Sequence, residues 1–146
     1  MRLEKFLFCE SVRQEVSGQQ TLVGVFPTDM VSLSGSGPEN APFILPSLAI
    51  VAVLDQLVGI NSIRVQCEVK FGNETIQKTP GIVMERAQPR DPHHTLNIAF
   101  APFPCPGFGE YLFKLTVEAG GETASFSRRL MIERFATPIP APSQRH

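Results

Sequence analysis

Apolar and polar residues alternate along much of this chain, in segments that prolines and glycines keep short. The clearest segment covers residues 62–71, whose apolar members are Ile63, Val65, Cys67, Val69 and Phe71. A two-residue period places one face of a β-strand in a core and the other in water. The 146 residues include 13 prolines and 11 glycines, so few segments are long enough for a helix. The pattern predicts an all-β chain.

Alternation and turn residues together predict about eight strands. One hairpin covers residues 110–133 and turns at Ala119-Gly120-Gly121, and a first hairpin joins residues 3–15 to residues 21–33. Further strands are expected at residues 48–58, 75–78, 82–87 and 94–100. The apolar run at 48–57 is also compatible with one or two helical turns, but its valines and isoleucine favour a strand.

Short strands separated by regular turn signals predict an antiparallel β-sandwich. Its inner faces are expected to come mainly from Phe6, Phe8, Leu22, Val25, Ile50, Ala52, Leu54, Val65, Val69, Ile98, Tyr111, Phe113, Leu115 and Ile132. Pro27 has no amide hydrogen, so its strand must lie at an edge, carry a bulge or bend from one sheet to another. Arg128 falls on an inner face, and we expect its stem to pack while its guanidinium reaches water.

Three segments carry a resemblance: Phe8-Cys9-Glu10, Leu22-Val23-Gly24-Val25-Phe26 and Pro106-Gly107-Phe108-Gly109-Glu110-Tyr111-Leu112-Phe113. They resemble a family of short, uncharacterised bacterial proteins, a domain of unknown function with a predicted β-sandwich fold, and the similarity spans about residues 3–133. The Gly109-Glu110-Tyr111 approach to a strand is also similar to the corner of immunoglobulin-like sandwiches, where a tyrosine hydroxyl bonds back to the main chain. The resemblance implies a fold and supplies no catalytic residue.

Charge and cysteine content indicate the compartment and the classes of partner. The chain has 13 basic and 14 acidic residues, so a net charge of -1 gives no general attraction to nucleic acid or to an anionic membrane. The apolar run at 48–54 is far shorter than the roughly 20 residues of a membrane-spanning helix. Three cysteines without a CxxC pair, and an N-terminal segment unlike a signal peptide, predict a cytoplasmic protein with reduced thiols.

Few residues form a pattern associated with catalysis or metal binding. Asp91, His93 and His94 are weak candidates for a metal site, but adjacent histidines in a strand face opposite sides, which favours an exposed loop. No nucleophile motif and no phosphate-binding glycine loop occurs, and Glu10 and Asp29 are interpreted as solvated carboxylates. The sequence therefore predicts no catalytic residue, no bound metal and no cofactor.

Two segments rich in proline are candidates for contact with a partner. Residues 101–109 hold Phe103 and Phe108 in a rigid framework, which either displays both rings to a partner or uses them to cap the sandwich. The tail at 136–146 is expected to be extended and outside a domain formed by residues 1–135. Within it, Pro138, Ile139 and Pro140 form a segment that a groove could bind.

The sequence therefore predicts a non-catalytic binding or scaffolding module with a protein partner. A homo-oligomer formed through an uncovered sheet edge is compatible with the pattern, because an open sandwich has unpaired edges. The alternative is a small metal-dependent enzyme or hydrolase that uses the loop with Asp91, His93 and His94.

Overall fold

The computed structural model describes residues 1–34 and 41–135, so the predicted tail at 136–146 lies outside the described residues. Twelve strands form within these ranges: β1 Arg2–Gln14, β2 Gln20–Val25, β3 Met30–Ser34, β4 Phe43–Leu45, β5 Leu48–Asp55, β6 Ser62–Phe71, β7 Glu74–Lys78, β8 Ile82–Glu85, β9 His94–Phe100, β10 Phe103–Cys105, β11 Gly109–Ala119 and β12 Glu122–Phe135. Across the described ranges no helix has the length and apolar character that a membrane crossing requires.

The strands form two large sheets and one small ribbon. The four-stranded sheet has the order β2-β1-β5-β9, and the six-stranded sheet has the order β3-β12-β11-β6, with β7 and β8 both pairing with the outer edge of β6. Strands β4 and β10 form the two-stranded ribbon. Every pair is antiparallel except β3 with β12. The all-β sandwich prediction is confirmed, while its immunoglobulin-like classification stays a prediction.

The predicted count of about eight strands is wrong. The difference arises where proline interrupts the pattern: β4 and β10 have three residues each, and the predicted strand at 21–33 is divided at Pro27. Strand β2 pairs with β1 in one sheet, while β3 pairs with β12 in the other. Of the three possibilities for Pro27, the structure shows the bend from one sheet to another.

Asp29 fixes this bend. Its φ is 54°, its main-chain amide donates to the carbonyl of Phe26, and its own carbonyl accepts from the amide of Met131. The guanidinium of Arg128 donates to the Asp29 carboxylate at 2.7 Å, with about a third of the arginine side chain exposed. Arg128 therefore sits on an inner face with a charged partner and with access to water, as its position in the pattern predicts.

The core lies between the two large sheets, where Phe8 of β1 contacts Phe113 of β11 with ring centroids 4.9 Å apart. Of the predicted core residues, all but three are buried. Ile98 is half-buried and packs on the core, and Leu22 packs on the outer face of the four-stranded sheet. Val25 is 40% exposed, because it pairs with Cys9, whose side chain belongs to that outer face.

Candidate functional site

An apolar groove separates the β4–β10 ribbon from β7, which is an edge strand of the six-stranded sheet. The groove has a volume of about 800 Å³. Phe43, Ile44 and Pro104 line it from the ribbon, and Thr75 and Ile76 line it from β7. Ile44 is 64% exposed, so the ribbon presents a large aliphatic side chain at the mouth of the groove.

The register of the ribbon decides which of its side chains enter the core. Pro104 lies opposite Ile44, between Phe103 and Cys105. Alternation therefore places Phe103 and Cys105 in the core, where both are buried, and leaves Ile44 on the outside. A proline in this strand is tolerated because a two-stranded ribbon leaves one edge of each strand unpaired.

The two phenylalanines predicted to contact a partner have different positions. Phe103 is fully buried, and its ring lies 5.4 and 5.8 Å from those of Phe100 and Phe113, so its assignment as a contact residue is wrong. Phe108 is half-buried and stacks on Phe43, with ring centroids 4.5 Å apart. The first ring is part of the core, and the second supports the ribbon wall of the groove.

The predicted tyrosine contact fixes the segment that follows the ribbon. The Tyr111 hydroxyl donates to the main-chain carbonyl of Gly107. Burial raises the pKa of Tyr111, so the hydroxyl keeps its proton and remains a donor. Gly109 has a φ of 147° and a Cβ there would lie 3.1 Å from the Phe71 ring, so this turn requires glycine.

The three cysteines are free and buried. Burial raises the pKa of Cys67 to about 12 and that of Cys105 to about 11, and it raises the pKa of Cys9 as well. These thiols are protonated near neutral pH, and a protonated buried thiol is a poor nucleophile. The burial of Cys67 also confirms the predicted phase of β6.

A second cluster lies where β1, β5 and β9 meet at one end of their sheet. The Nε2 atom of His93 is 3.4 Å from Glu4 Oε1 and 3.4 Å from Asp55 Oδ1. Potential ligand atoms of these three residues all lie within 4.8 Å of one another. Arg2 contacts the other oxygen of Asp55, at 2.7 Å from Oδ2.

The sheet register brings these three side chains together. Arg2 pairs with Asp55, and the pairing shifts between Leu3 and Lys5, so Glu4 is the extra residue of a β-bulge. Asp55 ends β5, and His93 directly precedes β9. The amide of Gln56 donates to Asp55 and, more than the charges of His93 and Arg2, holds the pKa of this carboxyl below its ordinary value.

The structure does not assemble the predicted set of Asp91, His93 and His94 as a common set of ligands. His93 joins Glu4 and Asp55, whereas His94 begins β9 and is half-buried. The two histidines separate because successive residues of an extended chain face opposite sides. Asp91 lies beside His93, with 3.7 Å between its carboxylate and Nδ1.

Arg86 holds the loop that carries His93, and the sequence gave no reason to select it. It is the one buried charged residue in the described ranges, and its guanidinium donates to the main-chain carbonyls of Leu57, Ile60, Pro89, Asp91 and His93. Burial, followed by the charge of Arg86, lowers the pKa of His94. The one available signal is a basic residue directly after the strand at 82–85 and before a proline-containing loop.

The carboxylates considered for acid–base chemistry have separate partners. Asp29 pairs with Arg128, Glu15 accepts a hydrogen bond from the Thr21 hydroxyl, and Glu10 lies against Gly24. Their interpretation as independent polar side chains of the first hairpin and its bend agrees with these contacts.

Comparison with known proteins gives no assignment to weigh against this geometry, since no family model and no curated protein matches the chain.

Proposed function

We propose that the protein is a non-catalytic binding module that accepts an extended segment of a partner protein between the ribbon and β7. The observation that carries the proposal is an apolar groove beside a strand edge that has no further neighbour in the described part of the sheet. A free strand edge offers amide and carbonyl groups to an added strand, and an adjacent groove accepts alternate side chains of that strand.

The lining of the groove defines the chemistry of the partner. Ile44 and Ile76 favour aliphatic side chains at alternate positions of the bound segment. Glu74 lines the same groove and is exposed, so a lysine or arginine at one end of the segment gains a complementary charge. The proposed ligand is therefore an extended, largely aliphatic peptide with one basic residue.

The proposed setting is the bacterial cytoplasm, where the three buried thiols stay reduced. Strand β8 offers a different surface, because Ile82 and Val83 are exposed at the same sheet edge. A homo-oligomer formed there is a competing use of the edge, which the experiment below must separate from peptide binding. The predicted ligand segment with Pro138, Ile139 and Pro140 lies outside the described residues and stays a prediction.

The test compares two substitutions at side chains of equal exposure. Ile44 and Val58 are both 64% exposed, but Ile44 lines the groove and Val58 lies in the turn after β5. Partners captured from bacterial lysate with the wild-type chain are identified by mass spectrometry and purified. We expect Ile44→Asp to weaken binding of the purified partner at least about tenfold and Val58→Asp to leave it unchanged, because a charge opposes burial of an apolar segment.

Hydrogen exchange then locates the bound segment. Binding is expected to slow exchange of the β7 amides, since an added strand pairs with them. Equal effects of the two substitutions, or protection confined to β8 together with dimer formation in light scattering, would reject the groove as the site.

A small metal-dependent enzyme is a second candidate function. The observation in its favour is that His93 lies beside two carboxylates, which with Asp91 provides groups for metal binding and proton transfer. Hydrolysis of simple ester or phosphate substrates by zinc-loaded protein, lost in His93→Ala, would support it. Inactivity of protein shown to contain zinc would leave the binding module as the function.

A further inference from the structure

We infer that Glu4, Asp55 and His93 form a binding site for a divalent transition-metal ion, and that zinc is the ion that fits best. The site lies at the end of β5 and the start of β9, whereas the ribbon adjoins the opposite ends of these strands. It is therefore separate from the groove, and it stands or falls independently of the proposed peptide binding.

The distances between the ligand atoms match a small coordination sphere. Zinc bonds of about 2.0–2.1 Å to nitrogen and oxygen place tetrahedral ligand atoms roughly 3.3 Å apart. His93 Nε2 lies 3.4 Å from an oxygen of Glu4 and 3.4 Å from an oxygen of Asp55. One imidazole and two carboxylates favour zinc over calcium or magnesium, which prefer oxygen ligands alone.

The hydrogen bonds of Asp55 leave room for the ion. Its Oδ1 atom accepts from the amide of Gln56 at 2.7 Å and keeps a second lone pair, while Arg2 contacts Oδ2. The arginine therefore does not need to leave when Oδ1 binds a metal. Glu4 and Asp55 carry two negative charges against the single positive charge of Arg2, so a cation is still favoured at the site.

Asp91 and Arg86 orient the histidine. The main-chain amide of His93 donates to Asp91 Oδ1 at 2.9 Å, and the same oxygen lies 3.7 Å from His93 Nδ1. The carbonyl of His93 accepts from Arg86 at 3.2 Å. A carboxylate beside Nδ1 is the usual outer partner of a metal-binding histidine, because it favours the tautomer whose Nε2 lone pair faces the ion. Asp91 is therefore a positioning residue for the site.

The same contacts also describe an ion-pair network that binds no metal, and the two interpretations predict different results. Untagged protein is treated with chelator, exchanged into chelator-free buffer and titrated with zinc chloride in a calorimeter. The chain has three histidines, so each is replaced in turn by alanine. Binding at the inferred site requires one zinc ion per chain, at least about tenfold weaker binding in His93→Ala, and unchanged binding in His94→Ala and His146→Ala.

Two further variants keep the inference testable if His93→Ala disturbs the loop. Asp55→Asn preserves shape and removes a ligand charge, and it should also weaken zinc binding at least about tenfold. Asp91→Asn should weaken zinc binding by about tenfold, as expected for an outer partner. Thermal melts confirm that each variant is folded, and zinc should raise the melting temperature of wild type and of His94→Ala but not of His93→Ala.

Cobalt provides an independent readout, since bound Co²⁺ absorbs visible light according to its coordination geometry. We expect an intense tetrahedral spectrum from the wild-type protein and its loss in His93→Ala and Asp55→Asn. Absence of zinc binding by wild type, or equal weakening by all three histidine substitutions, would show that the cluster is an ion-pair network and overturn the inference.

Discussion

At the groove end of the sandwich aromatic rings close the core, whereas at the other end one arginine does so through main-chain hydrogen bonds. The groove end packs Phe103 against neighbouring rings and holds its turn with the Tyr111 hydroxyl. The Arg86 end binds five carbonyls from two loops with one guanidinium. Stability is thus distributed over many contacts at one end and concentrated in one side chain at the other, which point mutations can test.

The largest effect is expected at the aromatic end. Phe103→Ala removes a fully buried ring and should reduce the free energy of unfolding by about 3–5 kcal/mol, since both the transfer of the ring and the resulting cavity contribute. Chemical denaturation measures the change. Phe108→Ala is the matched control, because its ring is half-buried, and it should cost less than half as much. Equal losses would place Phe103 nearer the surface than its burial indicates.

A somewhat smaller loss is expected at the Arg86 end. Arg86→Met leaves several partly buried carbonyls without a donor and should reduce the free energy of unfolding by about 3 kcal/mol. Arg86→Lys should recover little, because an ammonium cannot reproduce the planar fork of five donors. Arg90→Met, at an exposed position of the same loop, should stay within about 0.5 kcal/mol. Recovery by lysine would mean that charge, not the hydrogen-bond geometry, stabilises the loops.

These two ends also show where sequence patterns stop being informative. Between the sheets, alternation alone identified most of the core, including Cys67 and Tyr111, because each side chain there depends on its own strand's phase. Phe103 was ambiguous, since Pro102 and Pro104 hide a strand of three residues. Arg86 could not be predicted, because its partners lie up to 29 residues away and are main-chain carbonyls, which carry no sequence signal.

The candidate metal cluster was partly predictable for the same reason. The single histidine pair drew attention to His93, and the rule that adjacent residues face opposite sides correctly argued against His94 as its partner. Glu4 and Asp55 were out of reach, because their proximity depends on the register of three strands and on a bulge in β1. Local spacing indicates ligands on one element, whereas this cluster is assembled across a sheet.

A smaller effect is expected for the tyrosine contact. Tyr111→Phe keeps the ring in the core and removes the hydrogen bond to Gly107, which should cost about 1 kcal/mol. Hydrogen exchange should show faster opening of residues 106–109, with little change in β11 away from the turn. A loss close to that of Phe103→Ala would mean that the hydroxyl organises the whole groove end, and the contrast between distributed and concentrated stability would disappear.

The smallest effect should be a pH dependence confined to the Arg86 end. Because burial and Arg86 hold the pKa of His94 below its ordinary value of 6.5, the unfolded chain binds a proton more readily than the folded chain. Stability should therefore fall as pH decreases through 6.5 toward the lowered pKa, and it should not change further below that value. Melting temperatures at several pH values between 5 and 8 measure this slope, which His94→Gln should flatten.

The groove end should contribute nothing to that slope. Burial raises the pKa values of Cys105 and Tyr111 well above 8, so neither group changes charge in this window. Tyr111→Phe should accordingly lower the melting temperature by the same amount at every pH, whereas Arg86→Met should change both the melting temperature and its pH slope, since the charge that lowers the pKa of His94 is gone. A parallel shift in both variants would show that His94 does not sense Arg86, and that the two ends differ in packing but not in electrostatics.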